Sequence, residues 1–219
     1  MTKADTRQKI LDSAEVLFAE HGFGEVSVRQ VVQAAEVNVA SIHYYFGSKD
    51  ALIEEVLSRR LAPLNEERLR QLTEYESAAG KEGRTLSLED VLYALISPAI
   101  RLSRENDGGG CFVRLVGRLF AEPSESVQTM LKTRFKELFL RFNGALKVTL
   151  PTVKKRDLFW RMHFMLGAMS LTLCDRHRPA VWSEGVCDPE DLEEVIAQLV
   201  RSEERRVGKE CRSRWSPYH

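Results

Sequence analysis

Apolar residues recur every three or four positions along nearly the whole chain, a period that admits helices and little else. Ile10, Leu11, Ala14, Leu17 and Phe18 share one stripe of a segment from about Ala4 to His21, and Gly22 stands where a helix end favours glycine. Ser27 opens a short helix to about Ala34, with Val28, Val31 and Val32 inward. Asn38, able to satisfy the orphan amides of a first turn, caps a second short helix to Tyr45. Ser48, followed by Asp50 and Ala51, starts a longer helix bearing Leu52, Ile53, Val56, Leu57 and Leu61. Further helices are expected over Pro63–Ser77, Ser87–Arg104, Gly110–Ala121, Ser124–Thr149, Lys155–Arg176 and Asp188–Arg201. Breakers separate them at 78–83, 106–110, 122–124, Pro151 and 178–189. Pro98, inside one of these helices, removes a backbone hydrogen bond and predicts a kink. The expected fold class is all-α, with an N-terminal unit over residues 1–50 and a larger helical body over 51–201.

The polar start from Thr2 to Asp12 lacks the apolar stretch of a signal peptide. The longest nearly apolar run, Phe164 to Cys174, is too short to span a bilayer, so no membrane role and a cytoplasmic location are expected. Cys111, Cys174, Cys187 and Cys211 are far apart with no C-x-x-C pair, which argues against zinc and disulfides and for ordinary buried or partly buried thiols. No metal or cofactor is expected. After Val200 the helical pattern stops. The run Ser202 to His219 shows no apolar face and reads as a non-native extension. It holds five of the chain's 32 basic and three of its 32 acidic side chains, leaving the rest two charges negative. Any nucleic-acid contact must therefore rest on a local patch.

Two short helices separated by Ala35-Glu36-Val37, with a longer supporting helix before them, match a helix-turn-helix, whose second helix lies in the major groove of double-stranded DNA. Val37, Ile42 and Phe46 then pack inward. Val39, Ala40 and His43 fall at base edges, with small side chains that permit close approach. Ser41, Tyr44, Tyr45 and Lys49 offer hydroxyls and an ammonium to phosphate oxygens, and Ser27 another at the preceding helix start. Arg29 is the candidate base-reading residue, since a guanidinium on a guanine edge discriminates by roughly 1–3 kcal/mol.

The stretch Arg7 to Leu57 resembles the DNA-binding domain of the Tet repressor (TetR) family of bacterial transcription regulators. The resemblance rests on His21-Gly22-Phe23, the Ser27 start, Val37, the run Ile42 to Phe46, and Ser48-Lys49. It implies base contacts at Arg29, Val39, Ala40 and His43, and phosphate contacts at Ser27, Ser41, Tyr44, Tyr45 and Lys49. The family usually has glycine where this chain has Glu36, which the turn then requires in a left-handed conformation at about 1 kcal/mol or more.

The resemblance further implies a larger body that dimerises and holds a small-molecule effector, making the chain a ligand-responsive regulator, expected to be a repressor, on a palindromic operator. A homodimer is also demanded physically, because one short helix with few basic residues cannot hold a site tightly, whereas two copies one DNA turn apart can. Leu158 to Leu173 is apolar nearly all round, with Gly167, Ala168 and Ser170 permitting close approach, and Leu192 to Val200 adds an amphipathic stripe. These two helices are the expected interface, paired into a four-helix bundle. The effector pocket is expected between the middle helices, lined by Leu92, Leu95, Ile96, Phe112, Leu115, Leu119, Phe135, Phe139 and Phe142, with polar groups from Arg114, Arg118 or His163. Residues 86–175 are similar to the C-terminal domain of fatty-acid-responsive pseudomonad regulators of that family, which implies an apolar or acyl effector, its carboxylate paired with Arg114 or Arg118.

An all-helical enzyme is the rival from another class. The chain has no G-x-S-x-G elbow, P-loop or H-E-x-x-H pair, and the glycines at 108–110 precede Cys111-Phe112 with no lysine placed for phosphate. A helical ligand carrier that never touches DNA is the second alternative.

Overall fold

Helix replaces coil wherever the apolar period runs, and in places where it does not. The computed structural model describes residues 3–104, 109–121, 125–175 and 177–208. Among the described residues there are eleven helices and no strand: α1 (Lys3–His21), α2 (Val28–Ala34), α3 (Val39–Tyr45), α4 (Lys49–Lys81), α5 (Leu88–Leu102), α6 (Gly109–Ala121), α7 (Glu125–Arg134), α8 (Lys136–Thr149), α9 (Lys155–Cys174), α10 (Arg178–Trp182) and α11 (Leu192–Gly208). The chain forms two compact units, one from residues 1–67 with 101–138 and one from 68–100 with 139–219.

The first unit is centred on α1. Ile10, Leu11, Ala14 and Phe18 are buried along its stripe, and α1 packs on both α2 and α6. Glu15 is the polar exception on the buried side of α1, 2 % exposed. Its carboxylate accepts from Arg59 and, at 2.7 Å, from Arg60, both on α4, while Asp12 takes a second Arg59 nitrogen at 2.6 Å. A buried carboxylate needs such partners, and these tie α1 to α4. Cys111 of α6 donates its thiol to the Glu15 carbonyl at 3.6 Å, and burial, opposed by nearby Arg114 and Arg60, pushes that thiol's pKa up.

The second unit buries the whole run Val91–Ile100 of α5 apart from half-buried Tyr93. Pro98 offers no N–H to the carbonyl four residues back. In the same turn the buried Arg68 guanidinium donates to the Leu95 carbonyl at 2.8 Å, and Ser97 donates to Gln71 at 3.1 Å. Burial lowers the pKa of Arg68 to about 10.

Several expectations are corrected. Pro63 does not begin a new helix: α4 runs through it, with Pro63 on the exposed side while Leu61 and Leu64 on either side stay buried and hold the helix. The single helix expected over Ser124–Thr149 is two, α7 and α8, with no glycine or proline at the joint. The breaker stretch 178–189 contains the short α10, begun by Pro179 in its first turn. Helical structure does not stop after Val200. Asp191 caps α11, and past Val200 Glu203 is buried and paired with Arg206, which donates to the Arg161 carbonyl at 3.1 Å and lies 5.7 Å from the Phe164 ring centre. Those tertiary contacts carry the helix to Gly208. Residues 209–219, and with them Cys211, lie outside the described residues. Cys111 is half-buried as expected, but Cys174 and Cys187 are exposed.

Candidate nucleic-acid interface

Each helix of the candidate reading head is set by local hydrogen bonds before any packing is counted. Gly22 closes α1 at φ +89° with its N–H on the Phe18 carbonyl at 2.9 Å, and the Phe18 and Phe23 rings meet at 5.4 Å. Ser27 and Gln30 form a reciprocal cap on α2: the Gln30 N–H donates to the Ser27 hydroxyl oxygen at 3.3 Å, and the Gln30 side-chain oxygen accepts from the Ser27 N–H at 2.8 Å. The Ser27 hydroxyl itself donates to that same oxygen at 2.7 Å, so its proton is engaged before any phosphate arrives. Asn38 caps α3 by accepting from the Ala40 N–H at 2.9 Å.

The turn between α2 and α3 bends at Glu36, φ +55°, the left-handed conformation expected there. Because a side chain in that region is strained and glycine is not, Glu36→Gly is expected to raise stability by about 0.5–1 kcal/mol, read from the denaturation midpoint. An unchanged or lower midpoint would mean the turn carries no strain.

On α3, Ile42 is fully buried and is the anchor of the helix; Val37 and Phe46 are only half-buried. Val39, Ala40, His43 and Tyr44 are exposed on the outer side, Tyr44 to 67 %. Tyr45 and Ser41 are half-buried, and the two tyrosine rings meet edge to face at 4.9 Å. Arg7 of α1 lies 5.6 Å from the Phe46 ring centre and pairs with Glu55, bracing the end of α3. Lys49 is half-buried, its ammonium 3.4 Å from the Gly24 carbonyl. Arg29 is exposed on α2, and so is Gln33 one turn later. Gln33 is a further candidate that pattern reading missed; its polar side chain one helical turn after Arg29 was the available signal. The structure thus brings the nine expected residues to α2, α3 and their flanks, with Val39, Ala40, His43, Tyr44 and Arg29 exposed.

The expected effector residues are placed less uniformly. In the second unit Leu92, Leu95, Ile96 and Phe142 are buried, and Phe139 is half-buried with its ring 5.1 Å from Phe159. In the first, Phe112, Leu115 and Leu119 are buried, Phe135 is half-buried and Arg114 is exposed. The Arg118 side chain lies outside the described residues. His163 is exposed rather than inward, edge-on to Trp160 at 5.9 Å, because it sits on the outer face of α9. A groove of about 550 Å³ in the second unit lies beside α8, lined by Ala79, Gly80, Leu86, Leu140, Gly144 and Val148 among others; none was an expected pocket residue. Among the described residues no helix is long and apolar enough to cross a membrane.

Solved structures share this architecture. The fatty acid degradation regulator FadR from Bacillus halodurans aligns over 88 % of this chain and 96 % of its own, with TM-score 0.60 and 16 % identity. A TetR-family transcriptional regulator from Bordetella parapertussis covers 89 % and 93 %, with TM-score 0.59 and 19 % identity. By sequence, a Bacillus subtilis protein named as a probable HTH-type transcriptional regulator, YttP, is 46 % identical over 56 residues, 26 % of this chain and 27 % of the relative. The HTH-type transcriptional repressor KstR2 of Rhodococcus jostii is 36 % identical over 55 residues, 25 % and 27 %. The chain thus spans about a quarter of the length of these curated relatives. The profile of bacterial regulatory proteins of the tetR family matches residues 10–56. That of the tetracyclin repressor-like C-terminal domain matches residues 93–202, slightly more than half of the sequence. The chain belongs to the tetR family of bacterial transcription regulators, which are not enzymes.

Proposed function

We propose that the chain is a DNA-binding transcriptional repressor that grips a palindromic operator as a homodimer in the cytoplasm and is released by a small apolar or acyl effector. The observation that carries this reading is the outer face of α3. Val39, Ala40, His43 and Tyr44 are exposed there while Ile42 opposite them is fully buried, and Arg29 stands outward on α2. A helix held from one side, with small residues at the centre of the other, fits the major groove. Phosphate contacts come from Tyr44, Tyr45, Ser41 and Lys49; Ser27 joins them only through a rearranged cap.

For the dimer, the support is α9. Phe159, Trp160, Phe164 and Leu171 are exposed along it, with the Trp160 and Phe164 rings stacked at 5.8 Å. Exposed aromatics in such number mark an interface. On α11 the support is weaker, since Ile196 and Val200 are already buried within the chain. The acyl effector rests on the likeness of residues 86–175 to fatty-acid-responsive regulators, and FadR, of the same fold, is a regulator of fatty acid degradation.

Selection of bound sequences from a random duplex library, with the chain ended after Gly208 so that α11 is kept whole, tests the reading. A palindromic site is expected. Arg29→Ala should then lose about 1–3 kcal/mol of discrimination at one base pair of each half-site. Equal weakening on every sequence would assign Arg29 to phosphate alone, and no enriched site would remove the operator.

A further inference from the structure

The Nδ1 atom of His43 lies 3.1 Å from the carbonyl oxygen of Gly47. A carbonyl can only accept, so in the neutral ring Nδ1 carries the hydrogen and the lone pair is left on Nε2. The acceptor is itself held in place. Gly47 turns at φ +79°, and its N–H donates back to the Ile42 and His43 carbonyls at 3.2 and 3.1 Å. His43 and Gly47 are therefore joined twice, once through the main chain and once through the ring. The ring nitrogens diverge, so Nε2 is directed away from Gly47. His43 is exposed, and on the preceding turn Val39 is exposed and Ala40 presents only a methyl, which leaves room for a base edge.

We propose that His43 determines specificity by accepting at Nε2 a hydrogen bond from an exocyclic amino group, N4 of cytosine or N6 of adenine. The inference rests on the DNA-reading function above and adds the polarity of the contact. Histidine as a residue type does not fix that polarity: the other tautomer would donate, and would select guanine O6 and N7 or thymine O4. Arg29, with donors only, selects the acceptors of a guanine edge. The head thus carries a donor on α2 and an acceptor on α3, and each half-site holds a guanine and, at a separate position, an amino-bearing base.

Two measurements test this. The first is long-range nitrogen–proton correlation on the full ¹⁵N-labelled chain in mildly alkaline buffer, where an ordinary imidazole is neutral. The chain's five histidines are few enough for His43 to be assigned by its disappearance in His43→Phe. A protonated Nδ1 and bare Nε2 are expected; the opposite tautomer overturns the inference. The second uses the selected operator with one base at a time replaced by its amino-less analogue, 2-pyrimidinone for cytosine or unsubstituted purine for adenine. Wild type is expected to bind about 3–10-fold more weakly at one position, as loss of a single hydrogen bond predicts. His43→Phe should be indifferent there while keeping its guanine preference at the Arg29 position. A sequence preference unaltered by His43→Phe, or no position sensitive to amino removal, overturns this inference alone. Absence of any sequence preference in the wild type overturns the DNA-reading function, and the inference with it.

Discussion

Ile42→Ala is expected to lower stability by about 2–5 kcal/mol and to abolish most sequence-specific binding to DNA. Ile42 is fully buried and is the only wholly buried residue of α3, a helix of seven residues. A helix that short has no stability of its own in water, so its position is set mainly by the packing of that one side chain, with the Asn38 cap at one end and the Arg7–Phe46 contact at the other. Alanine is the better helix former, so any loss must come from packing and not from propensity. Chemical denaturation and operator titration on the same variant read the two effects. A loss below about 1 kcal/mol with binding intact would mean that α3 is held by something other than its buried side.

Glu15→Ala is expected to be of similar size, about 3 kcal/mol, because it leaves the Arg59 and Arg60 guanidiniums without the carboxylate they share. Both arginine side chains are about one-quarter exposed, which keeps the figure below that of a fully buried pair. The surface pair Arg70–Glu74 is the contrast: both side chains are more than half exposed, and Arg70→Ala should change stability by no more than about 0.5 kcal/mol. Because Glu15 joins α1 to α4, the loss should also appear as faster amide exchange in α1. Equal effects from Glu15→Ala and Arg70→Ala would show the buried cluster to be energetically idle.

What could be read from the sequence was what is decided within a few residues. Gly22, Ser27 and Asn38 each announce a cap through their own chemistry, whereas the left-handed turn at Glu36 was expected only from the family resemblance; the structure holds each in the expected role. The stripe Ile10, Leu11, Ala14 and Phe18 is buried because a helical period leaves it no other side. Continuity across a breaker was not legible. Pro63 removes one backbone hydrogen bond, and whether the helix runs on through it depends on the packing of Leu61 and Leu64 on either side, which only the fold shows. Likewise α11 continues past Val200 because Arg206, paired with the buried Glu203, finds partners on α9, residues more than forty positions earlier in the chain. The candidate site divides on the same line. Arg29, Val39, Ala40 and Tyr44 follow from helical spacing, whereas the engaged Ser27 hydroxyl and the tautomer of His43 depend on hydrogen bonds that spacing does not specify. His163 was misplaced because a helix apolar nearly all round gives no sign of which side faces out.

The central claim, that the α2–α3 face enters a DNA groove, is tested most directly by titrating the protein against a short duplex of random sequence while salt is raised from about 50 to 200 mM. A face that neutralises phosphates releases counterions, so the affinity is predicted to fall by at least about tenfold over that range, linearly on logarithmic axes. An affinity that changes by less than about twofold, or no binding at the lowest salt, would contradict it.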